Sequence, residues 1–296
     1  MAVDSFINYL SLEKNYSPHT SVAYEKDLEE FKGFCKEELE LEDIASVSYN
    51  IIRNWIVALV DSGVSNRTVN RKIASLKAYY KFLLGIGAID VNPLAKHRSL
   101  KTDKKVEIPF SEAEMVKVFS ELSFEDTFAG KRDRLIIELF YVTGIRRAEL
   151  ISLSLQNLDL GANTIKVIGK RNKERVIPIL EITKDLFLEY LEVRSQLPLI
   201  ADAEYVFLTN KGDKMYDTLV YRIINKYFSL VSSKVKKSPH ILRHTFATHL
   251  LNNGAELNAV KELLGHASLA STQVYTHNNI SELKKVHSNA HPRSKE

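Results

Sequence analysis

The chain has 296 residues, 45% hydrophobic and 26% charged, with a formal net charge of +4. That length suits two domains, and the composition excludes a disordered, collagen-like or disulfide-stapled chain. The single cysteine, Cys35, can supply neither an internal bridge nor a cysteine zinc cluster. No apolar run approaches the ~20 residues of a membrane span, and Met1 to Asn15 lacks a signal-peptide pattern, so a cytoplasmic protein is expected.

Residues 1–93 read as helices only, a compact all-α domain. Asn8, Tyr9, Leu10 and Leu12 sit in a short opening helix. Ser17-Pro18 is an N-cap with proline at the first helical position, and the helix it starts runs to about Cys35 with Val22, Leu28, Phe31 and Phe34 as its apolar residues. Ser48 is placed to cap a third helix holding Ile51, Ile52, Trp55, Ile56, Leu59 and Val60. Ser65 does the same for a fourth. There Val69, Ile73, Leu76, Tyr80 and Leu83 step by a helical period, which predicts a core-facing stripe. Arg67 and Arg71 fall on the opposite face and Lys77 on its flank.

Residues 94–109 carry Lys96, Arg98, Lys101, Lys104 and Lys105 with few large apolar residues, the pattern of an exposed basic linker. From residue 110 to 296 the reading is mixed α and β. Ser111 opens a helix, Arg132 to Val142 is a strongly apolar one, and Thr143-Gly144 interrupts it before helical spacing resumes at Ile145. Asn163 to Ile168 and Arg175 to Ile179 are β-branched runs around a turn holding Lys170, Arg171 and Lys173, a β-hairpin. Further helices are expected at about 182–196, 217–232, 239–252, 256–264 and 281–288, with a short strand at Tyr205 to Leu208. The whole is mainly α with a small antiparallel sheet.

Three constellations point to anion chemistry. Ser238-Pro239 begins a helix whose first turns carry His240 and Arg243, three residues apart on one face, where the dipole and unpaired N–H groups favour an anion. Gly265 stops the following helix, which sets His266 on a fixed turn ahead of Tyr275. Thr143-Gly144-Ile145-Arg146 places another arginine at a helix start, and the hairpin offers Lys170. Taken singly, each also fits a solvated surface or a structural side chain.

Together and in this order, these residues resemble the tyrosine recombinases. The stretches His240-Ile-Leu-Arg-His-Thr-Phe-Ala-Thr-His-Leu-Leu251 and Leu263-Leu-Gly-His-Ala-Ser-Leu-Ala-Ser-Thr-Gln-Val-Tyr-Thr-His277 are similar to the bacterial Xer recombinases, XerC and XerD in type. Tyr16-Ser-Pro-His-Thr with Tyr24, Asp27, Leu28 and Phe31 is similar to their core-binding domain. The resemblance implies an N-terminal SAM-like core-binding domain and a C-terminal α+β catalytic domain. The implied catalytic residues are Arg146, Lys170, His240, Arg243, His266 and the nucleophile Tyr275. DNA contacts are expected from Arg67, Arg71, Lys77, Lys101, Lys104, Arg171 and Lys173.

The chemistry suits those residue types. Two arginines grip the oxygens of a five-coordinate phosphorus with paired hydrogen bonds. A phenol of ordinary pKa ~10 needs an acceptor such as His240, and the leaving 5′ oxygen needs a proton, the role implied for Lys170. No cofactor or metal is expected, since exchange of a phosphodiester for a phosphotyrosyl ester conserves bond energy. The implied partners are duplex DNA with paired inverted sites, a homo- or hetero-tetramer, a second recombinase and a DNA translocase, at the nucleoid and not at a membrane. The C-terminal segment after Tyr275 is expected to dock on a neighbouring protomer. An integrase of a phage or transposable element shares this chemistry and is the alternative. A type IB topoisomerase, a non-catalytic DNA-binding protein and a metal hydrolase built on His240, His244 and His249 are weaker fits.

Overall fold

The computed structural model describes residues 2–103, 107–169, 173–234, 236–265 and 277–295, with backbone alone at 277–279 and 295. The chain forms two compact units, Met1–Lys105 and Val106–Glu296.

In the first unit, α1 (Ala2–Asn8) continues into a π-helical turn, followed by α2 (Pro18–Leu39), α3 (Tyr49–Asp61) and α4 (Asn66–Gly85). Local chemistry sets the starts. Ser17 Oγ accepts the Thr20 N–H at 3.3 Å with Pro18 at the first position, and Ser65 Oγ accepts the Thr68 N–H at 3.4 Å. Ser48 precedes α3 in extended conformation, but its side chain makes no capping bond. The predicted α4 stripe is entirely buried and joins Leu28, Phe31, Ile52, Trp55 and Leu59 in one core. Val22 and Val60, expected among the apolar faces, are exposed.

The basic segment also departs from a plain linker. Leu94 is wholly buried and Leu100 packs on the helical core. Asn70 clasps Leu100 from both sides, accepting its N–H at 2.8 Å and donating to its carbonyl at 2.9 Å, while Asn66 Nδ2 donates to the Lys101 carbonyl at 2.8 Å. Two amide side chains one helical turn apart on α4 thus hold the segment down.

The second unit contains α5 (Glu112–Ser120), α6 (Phe128–Thr143), α7 (Arg147–Ile151), α8 (Glu181–Ser195), α9 (Asp217–Val231), α10 (Pro239–Asn252), α11 (Leu257–Leu264) and α12 (His277–Ala290). Between α7 and α8 lies an antiparallel sheet in the order β1 (Leu158–Asp159), β2 (Thr164–Ile168), β3 (Glu174–Pro178). The β2–β3 register runs from Thr164↔Pro178 to Ile168↔Glu174, and Gly169 N–H donates to the Lys173 carbonyl at 2.7 Å. Tyr205 to Leu208 is not a strand of this sheet; it makes single bridges only. Side chains take most of its carbonyls, since Arg194 binds those of Tyr205 and Val206, the Tyr190 hydroxyl also donates to Val206, and Arg132 binds that of Leu208.

Helix α6 is the axis of this unit. Every residue from Leu135 to Thr143 is buried, as expected of a run that is almost wholly apolar, and its one carboxylate, Glu138, pairs with Arg293. A buried helix end must find partners for its last carbonyls. Gly144 caps it in the left-handed conformation (φ 57°) and donates to the Phe140 carbonyl at 3.1 Å. A side chain at 144 would put its Cβ 2.4 Å from Phe246 Cδ1, so glycine is required here for space as well as conformation. The carbonyls of Tyr141 and Val142 accept the Nε2–H of His291 (3.0 Å) and His287 (2.7 Å). The C-terminal segment, expected on a neighbouring protomer, therefore packs on its own unit in the single chain, with Leu283, His287, Ala290 and His291 buried.

Candidate active site

The site grows from the break between α6 and α7. Gly144 turns the chain, Ile145 is buried, and Arg146 stands just before α7. The Arg146 N–H donates to Glu149 Oε2 at 2.8 Å and its Nη1 to Oε1 at 2.7 Å. Its Nη2 donates to the Gly265 carbonyl at 2.9 Å.

Arg243 comes from α10. The Ser238 Oγ accepts the Ile241 N–H at 3.4 Å and Pro239 starts the helix, as the sequence predicts. Arg243 is buried, with Nη1 donating to the Gly144 carbonyl at 2.5 Å and Nη2 to Leu264 at 2.6 Å. Arg146 and Arg243 are thus tied to consecutive carbonyls at the end of α11, where Gly265 is left-handed (φ 64°). Burial, then the neighbouring guanidiniums of Arg146 and Arg175, push the Arg243 group down to about 9, while Glu149 opposes them.

Glu149 and Arg175 also belong to the site, although no motif in the sequence points to them. Arg175 belongs in sequence to the basic cluster of the hairpin, yet it is buried, and both its terminal nitrogens donate to Glu149, at 2.7 and 2.8 Å. Burial raises the Glu149 carboxyl, but the hydrogen bonds of Arg175 and Arg146 outweigh it and hold it at about 2. Three arginines around one carboxylate leave a surplus of positive charge. The hairpin reaches the same place: a Cβ at Gly169 would lie 3.2 Å from Glu149 Oε1 and 3.6 Å from Arg146 Nη1.

The other expected site residues divide. His240, on the first turn of α10, is exposed, with Nε2 3.2 Å from Glu107 Oε2, and Lys236 binds the same carboxylate. It makes no hydrogen bond or ion pair to Arg146 or Arg243 among the described residues. His249, considered as a metal ligand with His240 and His244, is buried with both ring nitrogens used. Its Nε2–H donates to Phe110 O at 2.9 Å and its Nδ1 accepts the Tyr141 hydroxyl at 2.9 Å. Lys170, His266 and Tyr275 lie outside the described residues, as do Lys104 and Arg171.

On the helical unit, Arg67, Lys77 and Lys101 are exposed. Arg71 is half exposed but committed. Its guanidinium pairs with buried Asp27 through bonds of 2.5 and 2.8 Å, so it is not the unengaged cation that the helix face predicts. Lys173 is exposed beside the hairpin end. Two lysines just before α10 are also paired, Lys234 with Glu114 and Lys236 with Glu107.

Residues 121–282 match the phage integrase family, and residues 3–85 match the phage integrase N-terminal SAM-like domain. The chain belongs to the phage integrase family. The tyrosine recombinase XerC of Thermodesulfovibrio yellowstonii is 40% identical over 298 residues, covering 99% of this chain and 97% of the relative. The tyrosine recombinase XerC of Oceanobacillus iheyensis is 39% identical, covering 99% and 96%. Among solved structures, the Tn1549 transposon integrase in complex with circular intermediate DNA aligns with a TM-score of 0.70, at 22% identity over 95% of this chain and 98% of that one. That likeness is one of fold, and it includes the helical N-terminal unit and the α+β unit with its small sheet. As a member of the integrase family close to XerC, the chain is a tyrosine recombinase, a DNA breaking and rejoining enzyme.

Proposed function

We propose that this recombinase cuts duplex DNA at paired inverted sites through a 3′-phosphotyrosyl intermediate, and that it acts as a Xer-type resolvase of chromosome or plasmid dimers. The observation that carries the reading is the convergence of Arg146 and Arg243, from two helices, on the adjacent carbonyls of Gly265 and Leu264. Their surplus charge suits a scissile phosphate, whose added negative charge in the transition state is stabilised by fixed donors. Tyr275 supplies the oxygen that bonds to phosphorus as the bond to the 5′ oxygen breaks. His240 accepts the phenol proton, Lys170 protonates the leaving 5′ oxygen, and His266 holds a phosphate oxygen. Reversal with a new 5′ hydroxyl rejoins the strand, with no net change in phosphoester bonds.

The near full-length match to relatives named XerC supports the housekeeping role over that of a mobile-element integrase. The DNA in the Tn1549 complex supports a duplex substrate. Four protomers on two sites, with a second recombinase in two of the positions, would complete the exchange, and a DNA translocase is a candidate regulator.

The test is a denaturing gel after incubation with a nicked target duplex. The wild-type protein should migrate as a covalent DNA adduct. Tyr275→Phe should bind the duplex equally well and form none. An adduct that persists in this variant would transfer the nucleophile to another tyrosine, and no adduct from the wild-type chain would refute the phosphotyrosyl route.

A further inference from the structure

The proposed chemistry gives no role to the buried arginine that stands beside Arg146. Arg175 lies on β3 with its side chain 5% exposed, and Glu149, its partner, is 3% exposed. Nη1 and Nη2 bind the two carboxylate oxygens, and Nε donates to the Leu263 carbonyl at 3.0 Å. The same two oxygens accept the side chain and the backbone N–H of Arg146. Leu263, Leu264 and Gly265 therefore offer three successive carbonyls to three arginines, Arg175, Arg243 and Arg146 in that order.

A buried ion pair is weak evidence for stability, because desolvation of both charges offsets their attraction. Its geometric effect is easier to read. Arg175 joins strand β3 to the first turn of α7 and to the end of α11. Gly265 lets it pass, since a Cβ there would lie 2.9 Å from Arg175 Cδ.

We propose that Arg175 is a positioning residue for phosphate recognition: it fixes Glu149 and the Leu263–Gly265 turn, and so holds Arg146 and Arg243 in one rigid relation. The proposal rests on the reading of Arg146 and Arg243 as the phosphate-gripping pair. Lysine cannot replace it, because one ammonium cannot span both carboxylate oxygens and the Leu263 carbonyl in the fork geometry of a guanidinium. With the frame loosened, Arg146 keeps its charge and loses its aim.

The experiment compares wild type, Arg175→Lys, Arg175→Gln, Arg146→Ala and the double variant Arg146→Ala with Arg175→Lys, all in the full-length chain. Melting curves are recorded first, and rates of adduct formation on nicked duplex are taken below each midpoint. A second substrate carries a methylphosphonate at the scissile position, where a methyl replaces one charged oxygen and the demand for an aimed cation falls. Both Arg175 variants should bind DNA like wild type and form adduct ~10- to 100-fold more slowly, as expected of a small misplacement of a reacting group. The defect should shrink on the methylphosphonate, as it should for Arg146→Ala, and the double variant should lose less than the product of the two single defects, because part of what Arg175 does is to aim Arg146. Normal rates from folded Arg175 variants, equal defects on both substrates, or additive defects would overturn the positioning role. So would failure of both variants to fold, which would make Arg175 a residue of structure alone. Wild-type cleavage by Arg146→Ala is a separate result: it would remove the gripping pair itself and this proposal with it.

Discussion

At the scale of single residues, charge and burial part company with sequence position. Arg146 and Arg175 are 29 positions apart and share one carboxylate, although Arg175 stands in sequence only two residues after exposed Lys173. Its register on β3 gives the reason. It shares a face with Ile177, and both are buried, while Glu174 between the hairpin end and the core faces out. The proposed roles of the arginines lead to a direct expectation. Arg146→Ala and Arg243→Ala should each lower the rate of adduct formation by ~100-fold or more, as loss of one donor to a developing oxyanion does in other enzymes. Gel-shift affinity should change little, because many other phosphate contacts remain. A parallel fall in binding and cleavage would make these docking groups.

At the scale of elements, α4 combines two functions on one helix. Its inner stripe builds the helical core, and its polar side holds Asn66, Arg67, Asn70 and Arg71. Asn66 and Asn70 bind the following basic segment, and Arg71 binds Asp27, which also accepts from Ser75 Oγ at 2.7 Å. Only Arg67 of these four is left without a hydrogen bond or ion pair among the described residues. The two arginines should therefore separate by experiment. Arg71→Ala should destabilise the fold by ~1–2 kcal/mol, since buried Asp27 keeps its serine and lysine partners but loses a bidentate one. Chemical denaturation measures that loss, and the salt dependence of DNA binding should be unchanged. Arg67→Ala should leave stability alone and lower the slope of log affinity against log salt by ~1, the signature of one lost phosphate contact. The reverse pattern would exchange their roles.

At the scale of the whole molecule, the C-terminal segment couples stability to acid. His287 and His291 are buried and neutral, donating to α6 carbonyls; burial first, outweighing the bond to Val142, holds His287 at about 4, and burial also depresses His291 well below the usual value. In the unfolded chain both titrate near 6.5. As pH falls through 6.5 the unfolded chain takes up protons that the folded chain refuses, so stability is full above that pH and declines toward 4. His287 alone accounts for a loss of ~3 kcal/mol over that window. Denaturation midpoints at pH 7.5 and 5 should differ in the wild type, and His287→Gln should flatten the difference. The same packing shapes the test of protomer docking. Deleting Ile280 to Glu296 strips the end of α6, so its melting midpoint should fall. Below that midpoint the truncated protein should still bind a half-site and lose cooperative binding to a full site. Retained cooperativity would mean that the segment does not link protomers.

Much of this molecule was legible in the sequence because it is local. Ser17, Ser65, Ser111 and Ser238 mark helix starts, since a cap needs only a side chain and an N–H three residues on. The stripe in α4 follows from helical period, and Gly144 and Gly265 follow from the need for a left-handed turn. Arg146 and Arg243 were legible through the motifs around them. Tertiary structure decided which charges are spent. No local pattern tells that Arg71 is bound to Asp27, 44 positions earlier, or that Arg175 turns inward to Glu149. Nor does one tell that Tyr205 and Val206 give their carbonyls to Arg194 and not to a sheet. Hydrogen-bond and ion-pair partners depend on what the folded chain brings within 3 Å, and that distance is set by packing over the whole unit, whereas caps, stripes and turns are set within a few residues.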